Sequence, residues 1–344
     1  MMHTGYQWLI IIVSSLVLSQ LASCGRFAEP EHETDPGFLF KDSGLIECFK
    51  LLESDNIYRI TEMTCSDQQI GDLTGIDGLI NLRKLDLSQN AITDITPLQN
   101  LKNLDNINLS GNQIQDITPL SQLTLLTKLN LSQNQINSGE ALAALTALEE
   151  LLLSQNNLSS IIHLKTLTKL TKIALADNQI TNIQDLTSLI HLQEIDLSGN
   201  TLQDTSLLSS LPDLKVLYLS NANIHDLTTL VELTQLQSLV LANNNIEDIS
   251  AIQQFSALTG LDLSGNKINM ISPLKTLSNL KILSLSSNLL TDPEPLKTMI
   301  NLTFLFLDEN PSLSCAGLTT LLNTMKNTLI SPDSPIPSEN CINP

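Results

Sequence analysis

Leucine returns every 22 residues, with no insertion or deletion, at Leu82, Leu104, Leu126, Leu148, Leu170, Leu192, Leu214, Leu236, Leu258, Leu280 and Leu302. A second all-leucine column stands five residues on, from Leu87 to Leu307, and the position between the two, Leu85 and its counterparts, is always Leu or Ile. A strict period of this length leaves the chain little choice: each period makes one coil, and the coils stack. Within the first full unit, Leu85 and Leu87 alternate with Lys84 and Asp86, which reads as a strand with one buried face. Ile92, Ile95, Leu98 and Leu101 then recur at three-residue spacing, which suits a short 3₁₀ or helical return. One unit alone has too few inward side chains to offset the ordering of its backbone. Neighbours must therefore supply strand hydrogen bonds and shared burial.

An asparagine column supports this geometry. Asn90, Asn112, Asn134, Asn156, Asn178, Asn200, Asn244, Asn266, Asn288 and Asn310 fall where the chain turns inward after each strand. A turn in a core leaves backbone N–H and C=O groups unpaired, at about 1–3 kcal/mol each, and a carboxamide can satisfy both kinds. Ala222 interrupts the column, which predicts a local soft spot or a buried water there.

The pattern LxxLxLxxN, as in Leu82, Leu85, Leu87 and Asn90, resembles the leucine-rich repeat family. The 22-residue form is similar to that of bacterial internalin-like proteins, and of the eukaryotic phosphatase regulator with the same repeat length. The match covers residues 60–310, about 12 strands. The resemblance implies an α/β solenoid. Its parallel β-sheet would line the concave face, short 3₁₀ or helical turns the convex face, and helical caps both ends.

The chain has 344 residues, natural for a solenoid, and a formal charge of −19. That charge argues against nucleic acid, whose phosphates need clustered Lys and Arg, and against direct adsorption to anionic lipid. Residues 1–23 contain no Asp, Glu, Lys or Arg, and Trp8 to Leu18 is an apolar run too short to span a bilayer. It fits the core of a signal peptide. Leu21-Ala22-Ser23-Cys24 resembles the bacterial lipobox, in which the cysteine is lipidated and becomes the mature N-terminus. That likeness implies acyl chains such as palmitate on Cys24, a membrane anchor and a cell-envelope location. Gly25 in place of Asp favours the outer membrane. Ordinary secretion after cleavage near Ala22 is the alternative. Residues 24–41 read as a polar tether.

Asp42 to Glu53 can form an amphipathic helix with Leu45, Cys48, Phe49 and Leu52 on one face. It belongs to an N-terminal cap over 42–59 that closes a cryptic first strand, where Ile60, Met63 and Cys65 match Leu82, Leu85 and Leu87. Past Pro311, a C-terminal cap over 311–344 holds a second amphipathic pattern: Leu318, Leu321, Leu322, Met325 and Leu329. The two ends of an open solenoid lie far apart, so the reachable disulfides are Cys48–Cys65 and Cys315–Cys341, each worth roughly 3 kcal/mol in the chain-entropy model. Free buried thiols are the alternative.

No nucleophile set, metal-ligand cluster or phosphate loop stands out, so the chain reads as a non-enzyme with no cofactor and no metal. Asp72, Asp94, Asp116, Asp204, Asp226, Asp248 and Asp292 form a column. Capping of the following turn is the expected role, with a calcium ladder as the sharper alternative. Function then rests on the outward strand positions. They are mostly polar in the early units, with Leu152 and Ala174 as exceptions. From the seventh full unit many turn apolar or aromatic, among them Val216. Tyr218, Val240, Asp262, Ile282, Phe304 and Phe306 are the candidate partner-binding residues, with Asp262 placed to meet a basic group. Burial of Phe304 and Phe306 under the C-terminal cap is the competing explanation for those two. The leading expectation is an exported, lipid-anchored protein that binds another protein on its concave face. The alternatives are an intracellular scaffold of the phosphatase-regulator type and a binder of cell-envelope polysaccharide.

Overall fold

A computed structural model describes residues 40–52, 56–325 and 328–330. Each 22-residue period contributes one three-residue strand. They are β1 (Glu62–Thr64), β2 (Lys84–Asp86), β3 (Asn106–Asn108), β4 (Lys128–Asn130), β5 (Glu150–Leu152) and β6 (Lys172–Ala174). The series continues through β7 (Glu194–Asp196), β8 (Val216–Tyr218), β9 (Ser238–Val240), β10 (Gly260–Asp262), β11 (Ile282–Ser284) and β12 (Phe304–Phe306). They pair in parallel, in chain order, and every pairing from β1 to β12 sets residue i beside residue i+22. A step equal to the sequence period is what lets each leucine column run unbroken through the core. Met63, Leu85, Ile107 and their counterparts point inward and are buried along the whole stack. The return path is a run of 3₁₀ turns of three to five residues, such as Thr96–Leu98 and Thr118–Gln122, each burying one aliphatic residue.

The asparagine column closes each inward turn. Asn156 is typical: its Nδ2 donates to the carbonyls of Leu131 and Leu153 at 3.0 Å, while its Oδ1 accepts from the backbone N–H of Ile136 at 3.0 Å. One side chain thus links two successive coils. At the break, Ala222 is fully buried and no carboxamide reaches back to Leu202. There the turn is rerouted. Leu202 is half-buried where its counterparts are buried, Gln203 N–H bonds to the Thr181 carbonyl at 3.0 Å, and Thr205 replaces a core aliphatic and bonds to Thr229 at 2.6 Å. The break in the column thus coincides with a displaced turn.

The N-terminal cap is helix α1 (Ser43–Lys50), whose Asp42 accepts from the N–H groups of Gly44 and Leu45. The other oxygen of the same carboxylate accepts from Gly71 and Asp72, tying the cap to the coil below it. At Gly44 a Cβ would lie 2.4 Å from the Gln68 carbonyl, so the helix meets the first coil as closely as only glycine permits. Cys48 and Cys65 are joined in a disulfide with Cα atoms 5.7 Å apart. Phe40, assigned above to the tether, is buried, and its ring centroid lies 5.3 Å from that of Phe49. The cap therefore begins earlier than composition suggested, because an aromatic pair is needed to cover the end of the aliphatic column.

At the other end, helix α2 (Cys315–Thr324) buries Leu321 and packs Leu318 against the core. Leu329 does not continue it. The helix stops at Met325, and Leu329–Ile330 form β13, a thirteenth strand beside β12. The spacing of Leu329 fits a helix, but the free edge of β12 offers backbone partners that a longer helix could not use. Cys24 and the Cys315–Cys341 bridge fall outside the described residues, since Cys24 and Cys341 both do.

Candidate partner-binding face

Each strand places its first and third residues on the open face of the sheet, so the face carries two parallel rows. In the N-terminal half the first row is a charge ladder. Glu62 pairs with Lys84 at 2.8 Å, Lys128 with Glu150 at 3.4 Å, and Lys172 bridges Glu150 at 4.0 Å and Glu194 at 3.1 Å. The Glu194 hydrogen bond raises the Lys172 pKa above its ordinary value. These charges neutralise one another along the row. Being solvent-exposed or half-exposed, each pair adds little stability.

At β8 the ladder stops. Val216, Ser238, Gly260, Ile282 and Phe304 continue the first row, and Tyr218, Val240, Asp262, Ser284 and Phe306 the second. The structure places all six candidate residues on this half of one face. Tyr218 and Val240 stand side by side on β8 and β9, and Ile282 and Phe304 stand side by side on β11 and β12. Asp262 lies between the two pairs in the second row, and Phe306 follows Ser284 on β12. Ile282 is 47% exposed and Phe304 39%, while Tyr218, Val240, Asp262 and Phe306 are half-buried. The described residues of the C-terminal cap therefore do not cover Phe304 or Phe306 completely.

Electrostatics set two details. Partial burial, then the carboxylates of Glu194 and Asp196, push the Tyr218 phenol above its ordinary pKa. At neutral pH it is an uncharged donor on a largely apolar surface. The Asp262 carboxylate accepts from the Ser264 N–H at 2.9 Å and its hydroxyl at 2.7 Å, which holds the side chain in place and leaves its second oxygen for a basic group. Asp308, where most units carry serine, has one buried carboxylate oxygen without a hydrogen-bond partner among the described residues.

Pattern reading missed Gly260 and Ser238. Between Val216 and Ile282 they leave the first row without a bulky side chain, and a Cβ on Gly260 would meet only Ser238 Oγ, at 3.6 Å. The result is a dip beside the projecting Ile282. A glycine in mid-strand was the available signal, since such a position often marks a bulge, a bend or a close approach.

The aspartate column turns out to be local. Oδ1 of Asp94, Asp116, Asp226 and Asp248 accepts from the N–H two residues on, at 2.8 Å in each case, which starts the next 3₁₀ turn. In Asp72, Asp116, Asp204 and Asp226 a Thr or Ser hydroxyl, aided by that N–H, lowers the carboxyl pKa below 3.8. A lowered folded-state pKa adds stability above the unfolded value that is lost as pH falls through the folded one. These exposed groups thus favour the fold at neutral pH and cease to do so in strong acid.

A solenoid of parallel strands with a partner-sized open face defines a class, and comparison with known proteins narrows it. Family profiles described as "Leucine Rich repeats (2 copies)" match residues 190–232 and 234–276, and a "Leucine Rich repeat" profile matches 78–95 and 122–139. The solved internalin InlF of Listeria monocytogenes is 30% identical, with a TM-score of 0.79, over 88% of this chain and 92% of that one. Internalin C2 of the same organism is 29% identical over 64% of this chain and all of its own, with a TM-score of 0.59. The plant peptide hormone receptor RGFR1, solved in complex with RGF2, shares the fold at 22% identity, covering 74% of this chain and 44% of its own, with a TM-score of 0.58. None of the curated proteins compared matches the chain. The chain belongs to the leucine-rich repeat family, among its bacterial internalin-like members. Proteins of that family typically mediate protein–protein interaction.

Proposed function

We propose that this chain is an exported, lipid-anchored leucine-rich repeat protein that captures another protein on the C-terminal half of its concave face. The observation that carries the reading is the adjacent pair Ile282 and Phe304, both exposed and in register on β11 and β12. Earlier units fill the same row with Lys, Glu and Asn, so the fold does not require apolar side chains there. Apolar groups held in water on a rigid sheet are the usual anchors of an interface. RGFR1, of the same fold, was solved in complex with RGF2, which supports a protein or peptide partner here. Crosslinked pull-down from intact cells tests the reading when wild type is compared with a chain altered at Tyr218 and Ile282.

Export rests on the N-terminal pattern and on the Cys48–Cys65 bridge, which belongs to an oxidising compartment. Internalin-like homologues are extracellular or surface proteins, in keeping with this. In the proposed organisation, residues 1–23 are a signal peptide and Cys24 carries the lipid. The chain from there to Phe40 is a tether holding the solenoid away from an outer membrane. Two or more acyl chains hold a protein durably. Cys24→Ala should move the protein from the membrane to the soluble fraction. Unchanged membrane fractionation of that variant would refute the anchor and leave the binding face untouched.

A further inference from the structure

A shallow groove of about 860 Å³ lies along the edge of the first coils, on the side where the chain enters its strands. It lies off the sheet face: Arg83 and Asp105, on its wall, each precede the outward row by one residue. Tyr58 and Arg59 line one end and Leu125 the other. The location is unusual in charge. The chain carries −19 overall and has three arginines, Arg26, Arg59 and Arg83, two of which line this groove. Arg83 is neutralised by Asp105, with Nη2 and Nε at 2.8 and 3.0 Å from the same carboxylate oxygen. Arg59 makes no ion pair among the described residues, so it leaves the groove with one unbalanced positive charge.

The rest of the lining is rigid and polar, with one aromatic ring. Asn81 Nδ2 holds the Tyr58 carbonyl at 2.9 Å and Asn103 Nδ2 holds that of Ile80 at 2.9 Å, so backbone bonds fix the walls. Tyr58 is 62% exposed, and the contacts that anchor it are made by its backbone: its N–H reaches Asn56 Oδ1 and its carbonyl reaches Asn81. Its ring is free to lie against a ligand. A flat ring of this kind suits the C–H face of a pyranose. The Arg83–Asp105 fork sets donors and acceptors side by side, which matches neighbouring sugar hydroxyls. An unpaired guanidinium takes a carboxylate by two parallel hydrogen bonds. A peptide would find a single exposed aliphatic anchor here, Leu125, at 56% exposure.

We propose that this groove binds an acidic saccharide, with a sugar carboxylate on Arg59 and a ring stacked on Tyr58. The proposal is independent of the protein-binding face and would give the chain a second, polysaccharide-directed contact. Calorimetric titration of the mature chain, from Cys24 onward, in detergent tests it. The probes are a hyaluronan hexamer, a galacturonate hexamer and sialyllactose, set against neutral maltohexaose and a hexaglutamate peptide. At least one acidic saccharide should bind, and more tightly than either control. Arg59→Ala should weaken it about tenfold, and Tyr58→Ala by about fivefold or more. Both side chains are exposed, so an unchanged Tm shows that the variants remain folded. Absence of binding by all three acidic probes, or full affinity in both variants, overturns the proposal. Equal binding of maltohexaose removes the acidic requirement, and equal binding of hexaglutamate makes the site one for acidic peptide; either result overturns it too.

Discussion

Asn156→Ala should destabilise the solenoid by about 2–3 kcal/mol, because it strands a buried backbone donor. The carbonyls of Leu131 and Leu153 keep second donors, from Asn134 and Asn178 at 3.0 Å. The Ile136 N–H does not: its acceptor is the Asn156 carboxamide, and Ile136 is fully buried. The cost therefore falls on one amide in the core. For a stack of this size the loss corresponds to a fall in Tm of roughly 5 °C, readable by calorimetry. Ala222 shows how the chain accommodates such a gap when it is native: it displaces the Leu202 turn and substitutes a Thr205–Thr229 bond. Asn156 has no such substitute, since Gly139, which has no side chain to bond, occupies the place of Thr205 in the coil that Asn156 closes. A variant as stable as wild type would mean that the asparagine ladder is not what closes the coils.

The double substitution Tyr218→Asp with Ile282→Asp should reduce partner capture by about 100-fold or more while leaving Tm within a few degrees of wild type. Loss of two interface anchors and burial of two unpaired carboxylates would each cost on the order of 2 kcal/mol or more in binding. The fold tolerates the change for a reason visible in the rows. Asp86, Asp196 and Asp262 already occupy the second-row position of Tyr218, and Glu150 and Glu194 the first-row position of Ile282. Neither side chain lies in the aliphatic core. Pull-down yield measured beside a melting curve separates the two effects. A variant that folds and still captures the partner would move the interface elsewhere.

Most of this architecture is legible in the period. A step of 22 fixes the register of every pair from β1 to β12, because the leucine columns stay continuous only if residue i meets residue i+22. The same step would have disclosed the charge ladder, since Lys128, Glu150, Lys172 and Glu194 are successive members of one column. What the period could not convey lies where it ends. Phe40 is buried by an aromatic contact with Phe49 that no repeat describes, and Leu329 leaves a helical spacing to pair with the exposed edge of β12. At the face, periodicity identified which side chains point outward, but the dip at Gly260 depends on what is missing from a row. Arg59 and Tyr58 escaped notice because they precede the first regular unit, and their groove forms only when coils 22 residues apart are stacked.

A photo-reactive amino acid placed at position 282 or at position 270 provides the most direct test. Ile282 projects from the sheet face, whereas Met270, 71% exposed, lies in the return path of the preceding coil, just before the 3₁₀ turn Ser272–Thr276. Irradiation of intact cells should join the partner to the chain labelled at 282 and leave the chain labelled at 270 free. Crosslinking from 270 with none from 282 would contradict recognition through the open strands.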